Sequence, residues 1–358
     1  MVKKVENMIQ SSERSMPHLP LDVIIGILSK LPFKSLFQFR RVSKSWHSLI
    51  SSSHFNQSIT NPNIQRQYMV MVNLVPHPGL YTASLGSADN DTLTAVTAVK
   101  IDHVLGYFEL KHHVWTIMIG SCNGLLCFLA EDVIYIFNPI TSECKKVPDP
   151  KFGAAVYGFG YDCTVDDYKL VLGRKNNLHL YSLRSDSWKK IQDFPCSCSN
   201  HYELYGALCG ASLNGAIHWF GRQPTVIVAF GFADEKFCEI SVPTFPTGVT
   251  NDIEVGVFGG CLGILRRCGH DLWLMKEYMV KQSWNRVEIN VPFQSYMKPL
   301  ALLKEDEALL AVDAKRLVLY NIREGTYRDL VIRGFPDPTW IFTAKTYVES
   351  LVSPIMKV

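Results

Sequence analysis

Five stretches of this chain share one pattern at a near-constant interval, and that interval restricts the possible folds more than any other feature. Aligned on the residue that ends an apolar run, they read "FNPITSEC" from Phe137, "YSLRSDSW" from Tyr181, "FGFADEKF" from Phe230, "MKEYMVKQSW" from Met275 and "YNIREGTY" from Tyr320. Successive anchors lie 44, 49, 45 and 45 residues apart. Seven residues after the anchor comes Cys144, Trp188, Phe237 or Tyr327, and nine after Met275 comes Trp284. Between them, runs rich in Val, Ile, Leu, Tyr and Phe alternate with Gly, Pro, Asn and Asp, the punctuation of strands and hairpins. Upstream turns are read at Asn123-Gly124, Asn214-Gly215, Gly263 and Glu307, and "EVGVFGGCLGILRR" reads as one apolar strand. A period of roughly 40 to 50 residues with about four strands per unit predicts a β-propeller. A single unit has two apolar faces, and stacking units around an axis buries both. A weaker sixth unit is read over about residues 65–110, with Tyr81 lying 56 residues before Phe137. The late segment "WIFTAKTYVESLV" is expected to pair with that first unit and close the ring.

The N-terminal stretch "LPLDVIIGILSKLPFKSLFQFRRVSKSWHSLI" is built differently. Ile24, Ile27, Leu28 and Leu31 fall at helical spacing, with Pro20 before them and Asp22 in the first turn, where a carboxylate meets free N–H groups. Pro32 is expected to end this helix. A second short helix carries Leu36 and Phe39, and a third follows Ser43 as cap with Val42, Trp46, Leu49 and Ile50 on its apolar positions. Val23, Ile25, Phe33 and Phe37 lie off these stripes. Three short helices cannot hide apolar surface that points in several directions, so a partner is expected.

Composition excludes more than it selects. With 47% hydrophobic and 19% charged residues, and no run near the ~18 to 20 apolar residues of a membrane helix, no membrane span is expected. "MVKKVENMIQSSERSMPH" lacks the apolar core of a secretory signal, so residues 1–16 read as a disordered leader in a cytoplasmic or nuclear protein. Net charge is +3, too little to argue for nucleic acid, although His18 to Gln57 carries Lys30, Lys34, Arg40, Arg41 and Lys44 against Asp22 alone. The densest cysteine group, Cys196, Cys198, His201 and Cys209, has C-x-C rather than zinc-type C-x₂-C spacing, and no metal or other cofactor is expected. Acidic pairs at Glu131-Asp132, Asp166-Asp167, Asp234-Glu235 and Asp306-Glu307 read as turn residues rather than a catalytic dyad. His112-His113 reads as an ordinary surface or core pair. Asp167-Tyr168-Lys169 reads as an acidic turn leading into a strand. Trp115, Trp219, Trp273 and Trp340 would be the stacking candidates if the wheel bound a glycan or small ligand. Packing in the strands is their expected role.

These residues resemble two modules of a plant F-box protein. The F-box resemblance rests on Leu19-Pro20, Asp22, Ile27-Leu28, Leu31-Pro32, Ser35-Leu36, Val42-Ser43-Lys44-Ser45-Trp46, Leu49-Ile50 and Phe55. The resemblance to an F-box-associated domain rests on "GSCNGLLCF" from Gly120, "FNPIT" from Phe137, "GFGYDCTVDDYKLV" from Gly158, "YSLRSDSWKKI" from Tyr181 and "LNGAIHW" from Leu213. Gly26 within the first helix, Phe33 after the Leu-Pro pair and Arg41 depart from the usual F-box pattern. The regular Gly-Gly doublets of kelch repeats are missing, with Gly259-Gly260 alone. The resemblance implies a mainly β chain: a three-helix F-box at 17–56, a linker at 57–64, a β-propeller-like domain of six blades at 65–352 and a tail at 353–358. It further implies a non-catalytic substrate receptor of a ubiquitin ligase. Its partners would be a Skp-type adaptor, through it a cullin–RING ligase, and an unidentified target protein. Leu19, Pro20, Ile24, Leu28, Leu31, Pro32, Leu36, Val42 and Trp46 are the implied contributors to the adaptor interface or to the core supporting it. Target-binding residues stay open, with loops 85–95, 193–205 and 243–252 expected from the architecture.

Overall fold

A computed structural model describes residues 19–31, 33–52, 55, 67–73, 79–85, 93–101, 116–130, 132–150, 154, 156–174, 176–195, 208–222, 225–245, 253–266, 270–294, 297–304, 306–335 and 342–355. Pro32, Trp115, Trp340, His112-His113, Cys196, Cys198, His201, the leader and the linker lie outside them, as does most of each expected recognition loop.

Among the described residues, twenty-six strands form six sheets that stand around one axis as the blades of a propeller. Blade 1 combines Phe342–Val348, Gln67–Asn73, Gly79–Ser84 and Val99–Lys100, from the innermost strand outward. Blade 2 runs through Thr116–Cys122, Leu125–Ala130, Val133–Phe137 and Cys144–Lys146. Blade 3 has Val156–Asp162, Asp167–Arg174, Asn177–Ser182 and Ser187–Lys190, and blade 4 has Ala211–Leu213, Ala216–Arg222, Thr225–Gly231 and Phe237–Ser241. Blade 5 follows with Ile253–Phe258, Cys261–Arg266, Asp271–Met275 and Trp284–Glu288. Blade 6 has Met297–Lys304, Glu307–Val312, Arg316–Asn321 and Thr326–Arg333. Leu208–Cys209 adds a short parallel strand to blade 3.

The sequence period is the register of the outer hairpin. Phe137 faces Cys144, Tyr181 faces Trp188, Phe230 faces Phe237, Met275 faces Trp284 and Tyr320 faces Tyr327 across the third and fourth strands. Several of these aromatics also rivet one blade to the previous one. Trp188 Nε1 donates to Pro148 O at 2.9 Å, Trp284 Nε1 to Ser241 O at 3.0 Å and Tyr320 Oη to Glu288 O at 2.7 Å. Six clusters of buried side chains each join two neighbouring blades, and the sixth joins blade 6 to blade 1. Removing that much apolar surface from water is the main drive for the ring.

Closure uses both chain ends. Phe342–Val348 lies antiparallel to Gln67–Asn73, pairing Val348 with Gln67 and Phe342 with Asn73, as expected of the late strand. A second clasp was not legible: Ala95–Thr97 leaves blade 1 and runs parallel to Val331–Arg333 on the outer edge of blade 6. Exposed strand edges invite further pairing, and both clasps cover one. Two other readings change. "EVGVFGGCLGILRR" is two strands, and the turn falls at Gly259-Gly260, with φ of 56° and 74°, instead of at Gly263. Asp167 begins a strand and is buried, the turn being Cys163 to Asp166.

The helical unit comprises α1 (Leu21–Leu28), α2 (Phe33–Phe39) and α3 (Lys44–Ile50). Helix α1 stops at Leu28, earlier than Pro32 alone would require, with Ser29 Oγ donating to Gly26 O. Ser43 caps α3 by accepting from the Trp46 amide at 3.1 Å. The core of this unit is Leu28, Leu36, Ile50 and Phe55, together with Leu351, which arrives from beyond the last strand of the propeller.

Candidate functional site

The first helix divides its apolar residues between two faces. Leu28 is fully buried and Ile24 packs partly against the same cluster, spaced four apart. On the other side Val23 and Ile27, again four apart, are 44% and 50% exposed, and Leu19, just before the helix, is 56% exposed. Val42, in the turn between α2 and α3, is 63% exposed. Four large apolar side chains left in water on so small a unit make a surface fit for another protein. Lys30, Arg41 and Lys44 lie exposed on the same unit and give it a basic character.

The residues named from the sequence therefore fall into different positions. Leu19, Pro20 and Val42 are exposed; Ile24, Leu31 and Trp46 are half-buried; Leu28 and Leu36 are wholly internal. Trp46 stacks edge-on against Phe39 with ring centroids 5.7 Å apart. Val23 and Ile27 complete the exposed row but are missing from the adaptor set read from the sequence. Helical spacing locates stripes, and only packing tells which stripe faces inward. Gly26 is exposed, and a Cβ there would meet nothing within 4 Å, so it departs from helix propensity without a steric reason.

The unit is fixed to the propeller by the turn after Phe137. Asn138, fully buried, donates through Nδ2 to Ser350 O at 2.9 Å and Val352 O at 2.8 Å. Its Oδ1 accepts from the amides of Ile140 at 2.9 Å and Thr141 at 3.3 Å. This clamp holds the C-terminal segment so that Leu351 enters the helical core while Val352 enters the seam between blades 2 and 3. Ile140 packs on the helices, and Glu143 Oε1 accepts from Arg40 Nη2 at 3.2 Å. Arg40 is thus withdrawn from the basic surface. Beside the clamp, Asn123-Gly124 makes the tight turn expected of it, with φ of 46° and 82°. A Cβ on Gly124 would come within 2.1 Å of Ser350 Cβ, so no other residue fits.

Two more constellations prove structural. Lys169 Nζ meets Asp162 Oδ2 at 2.6 Å and Phe232 O at 3.0 Å at the seam of blades 3 and 4. Burial pushes the Asp162 carboxyl up, yet hydrogen bonds from Lys169 and Thr164 hold it below its ordinary value. Several members of the acidic pairs are likewise occupied: Asp166 by Tyr161 Oη and Arg184, Asp167 by Ser182 Oγ, Glu235 by Lys189 and Glu307 by Arg328. Trp219 is buried with its indole N–H on Tyr157 O at 2.9 Å, and Trp273 is half-buried against Phe245. Trp219 offers no stacking platform. Among the described residues no three His, Cys, Asp or Glu side chains gather as metal ligands, and no helix is long and apolar enough to cross a membrane.

Comparison with known proteins covers both parts of the chain. A family model described as an F-box associated beta propeller domain matches residues 68–354, and one described as an F-box domain matches residues 16–58. F-box protein CPR1 of Arabidopsis thaliana is 29% identical, over 94% of this chain and 89% of its own length. An F-box/kelch-repeat protein of the same plant is 28% identical over 94% of this chain and 96% of its own length. A further F-box protein from that plant is 24% identical over 91% and 89% respectively.

Proposed function

This chain belongs to the F-box-associated β-propeller family, and on that premise we propose that it is the substrate-recognition subunit of a Skp–cullin–F-box ubiquitin ligase. The observation that carries the reading is the exposed row of Leu19, Val23 and Ile27, with Val42, on a helical unit whose opposite face is already filled. An apolar row on a short helix suits docking into a groove of an adaptor protein. Each such side chain, if fully covered, contributes roughly 1.5 to 3 kcal/mol before the costs of association.

The chain performs no bond chemistry in this proposal. The helices hold the ligase, the propeller holds the target, and tethering raises the effective concentration of target lysines near the charged ubiquitin carrier. Work of this kind belongs in the cytoplasm or nucleus. We assign residues 17–56 to the F-box and 65–352 to the propeller, with Leu351 serving both. The helices contact the propeller where the third strand of blade 2 turns to the fourth, at Ile140 and Glu143, and the first-to-second turn of that blade packs beside them on Ser350. Strand order puts the end of each blade's fourth strand and the start of the next blade's first strand at the opposite end. We therefore place target recognition on the face away from the F-box. Neither nucleic acid nor membrane enters this account.

The test is binding of the full-length chain to a purified Skp-type adaptor by calorimetry. Wild type should bind saturably. Ile27→Asp should weaken binding at least about tenfold and leave the melting temperature unchanged. No binding by wild type, or equal binding by the variant, would overturn the proposal.

A further inference from the structure

We propose that the seam of blades 4 and 5, at the end of the ring away from the F-box, binds an acidic side chain of the target through Arg286 and Trp273. This deepens the proposed ligase role and rests on it, naming the class of target: a protein with an extended segment in which Asp or Glu adjoins an apolar residue. Asp271 opens the third strand of blade 5 and Phe245 follows the fourth strand of blade 4, which puts both at that end. Trp273 and Arg286 stand opposite each other across the third and fourth strands of blade 5, as do Asp271 and Glu288. Facing pairs in register share one face of the sheet. That face belongs to the seam, since Trp273, Trp284 and Phe245 pack on the cluster that joins blades 4 and 5.

Two arginines here share one carboxylate. Arg266 donates through Nε to Asp271 Oδ1 at 2.8 Å and through Nη2 to Oδ2 at 3.1 Å, and both residues are buried. Asp271 Oδ2 also accepts from Arg286 Nε at 2.8 Å and from Trp273 Nε1 at 3.3 Å. Those four donors fill the acceptor capacity of the carboxylate, and its charge answers only one of the two cations. Arg266 is fully engaged, with its guanidinium lying over the Phe245 ring 5.5 Å from the centroid. Arg286 is held by one edge. Its side chain is 49% exposed. Of the five N–H donors of a guanidinium it uses the one on Nε, and among the described residues the others meet no acceptor. Pinning Nε to a buried partner fixes the plane of the group, so its outer fork is preorganised for a ligand. Such a fork matches a carboxylate. Glu288, exposed on the same face, makes no ion pair with Arg286 among the described residues, and its charge opposes a doubly charged phosphate more than a carboxylate. Half-buried Trp273 offers its ring to the neighbouring apolar residue, and Trp beside Arg is the composition of a binding hot spot. The sequence leading into Asp271, Arg266-Arg267-Cys268-Gly269-His270, adds another arginine and no acid.

Selection of a random dodecapeptide phage library on the full-length chain, followed by fluorescence anisotropy with the selected peptides, tests this. Wild type should select peptides enriched in Asp and Glu beside apolar residues. Replacing the acidic side chain of such a peptide by its amide should weaken binding about tenfold or more, the loss expected for a charge-assisted contact. Arg286→Gln should weaken the acidic peptide to the same degree and leave the amide version unchanged. Asp271 keeps Arg266 and Trp273 in that variant, so the fold should hold. Arg286→Lys guards against poor folding, because it keeps a cation beside Asp271 while losing the fork, and should weaken the acidic peptide about fivefold. No peptide selected, a selected set without an acidic excess, or equal binding of the acidic peptide by a folded variant overturns the proposal. Acidic selection that depends on Arg286 supports it even where the wild-type chain fails to bind the adaptor, a failure that overturns the ligase role alone.

Discussion

Replacing Leu351 by Ala should loosen the F-box while leaving the propeller intact. Leu351 is fully buried among Leu28, Leu36, Ile50 and Phe55, yet it belongs to the segment that follows the last propeller strand. A leucine-to-alanine change at such a site costs about 2 to 5 kcal/mol, depending on how far the cavity collapses. A helical unit of about 40 residues has little core of its own to spend, so the loss falls on the opening of that unit. At 1.4 kcal/mol per decade, amide protection in the three helices should drop by roughly 30-fold to several thousandfold. Native-state hydrogen exchange reads this directly, with amides of α1 and α3 as reporters and those of Leu125–Ala130 as the internal control. Control amides should stay within about threefold of wild type. Unchanged protection in the helices would refute the claim that the propeller's C-terminal segment completes the F-box core. A uniform fall across both parts would refute the claim that the two open separately.

Three further outcomes follow from buried polar groups. Asn138→Ala removes both donors from the carbonyls of Ser350 and Val352 and should cost about 2 to 4 kcal/mol in denaturant melts; a cost below about 0.5 kcal/mol would show that the clamp is dispensable. Lys169→Met leaves Asp162 buried without its cation and should destabilise by about 3 to 5 kcal/mol, most of it recovered in Lys169→Met/Asp162→Leu. Failure of the double variant to recover would assign the role to Lys169's bond with Phe232 O. His218 donates Nδ1–H to Ala211 O and accepts from Tyr278 Oη at Nε2, and burial pushes its pKa down to about 4, against the raising effect of the Ala211 bond. Between pH 6.5 and 4 the unfolded chain therefore binds the proton that the folded one refuses. Its contribution, about 3 kcal/mol, is full above pH 6.5 and fades as pH falls toward 4. Melts across that window should show a flatter acid limb for His218→Gln than for wild type, and identical limbs would remove the explanation.

What could be read from the sequence, and what could not, follows from the range of the contacts. The pairs Tyr181 with Trp188 and Tyr320 with Tyr327 face each other across one hairpin, so a short motif repeated five times reveals them. Blade 1 is the weak repeat because its third and fourth strands are separated by the excursion of Ala95–Thr97 to blade 6. Asn138 was legible only as part of a turn, since its partners Ser350 and Val352 are more than 200 residues away and follow no period. Its neighbours Ile140 and Glu143 reach the helices through the same turn. The consequence is mechanical. If the F-box were joined to the wheel by a flexible linker alone, the target would sample a wide volume around the ligase. Here Leu351, Ile140 and the Arg40–Glu143 pair dock the helices on one end of the ring, so the ring itself sets where its opposite face points. Within the proposed ligase role, that makes the reach to a target lysine depend on the target's own pose on the propeller. Weakening the joint should then broaden the set of lysines modified, even where binding of both partners is unchanged.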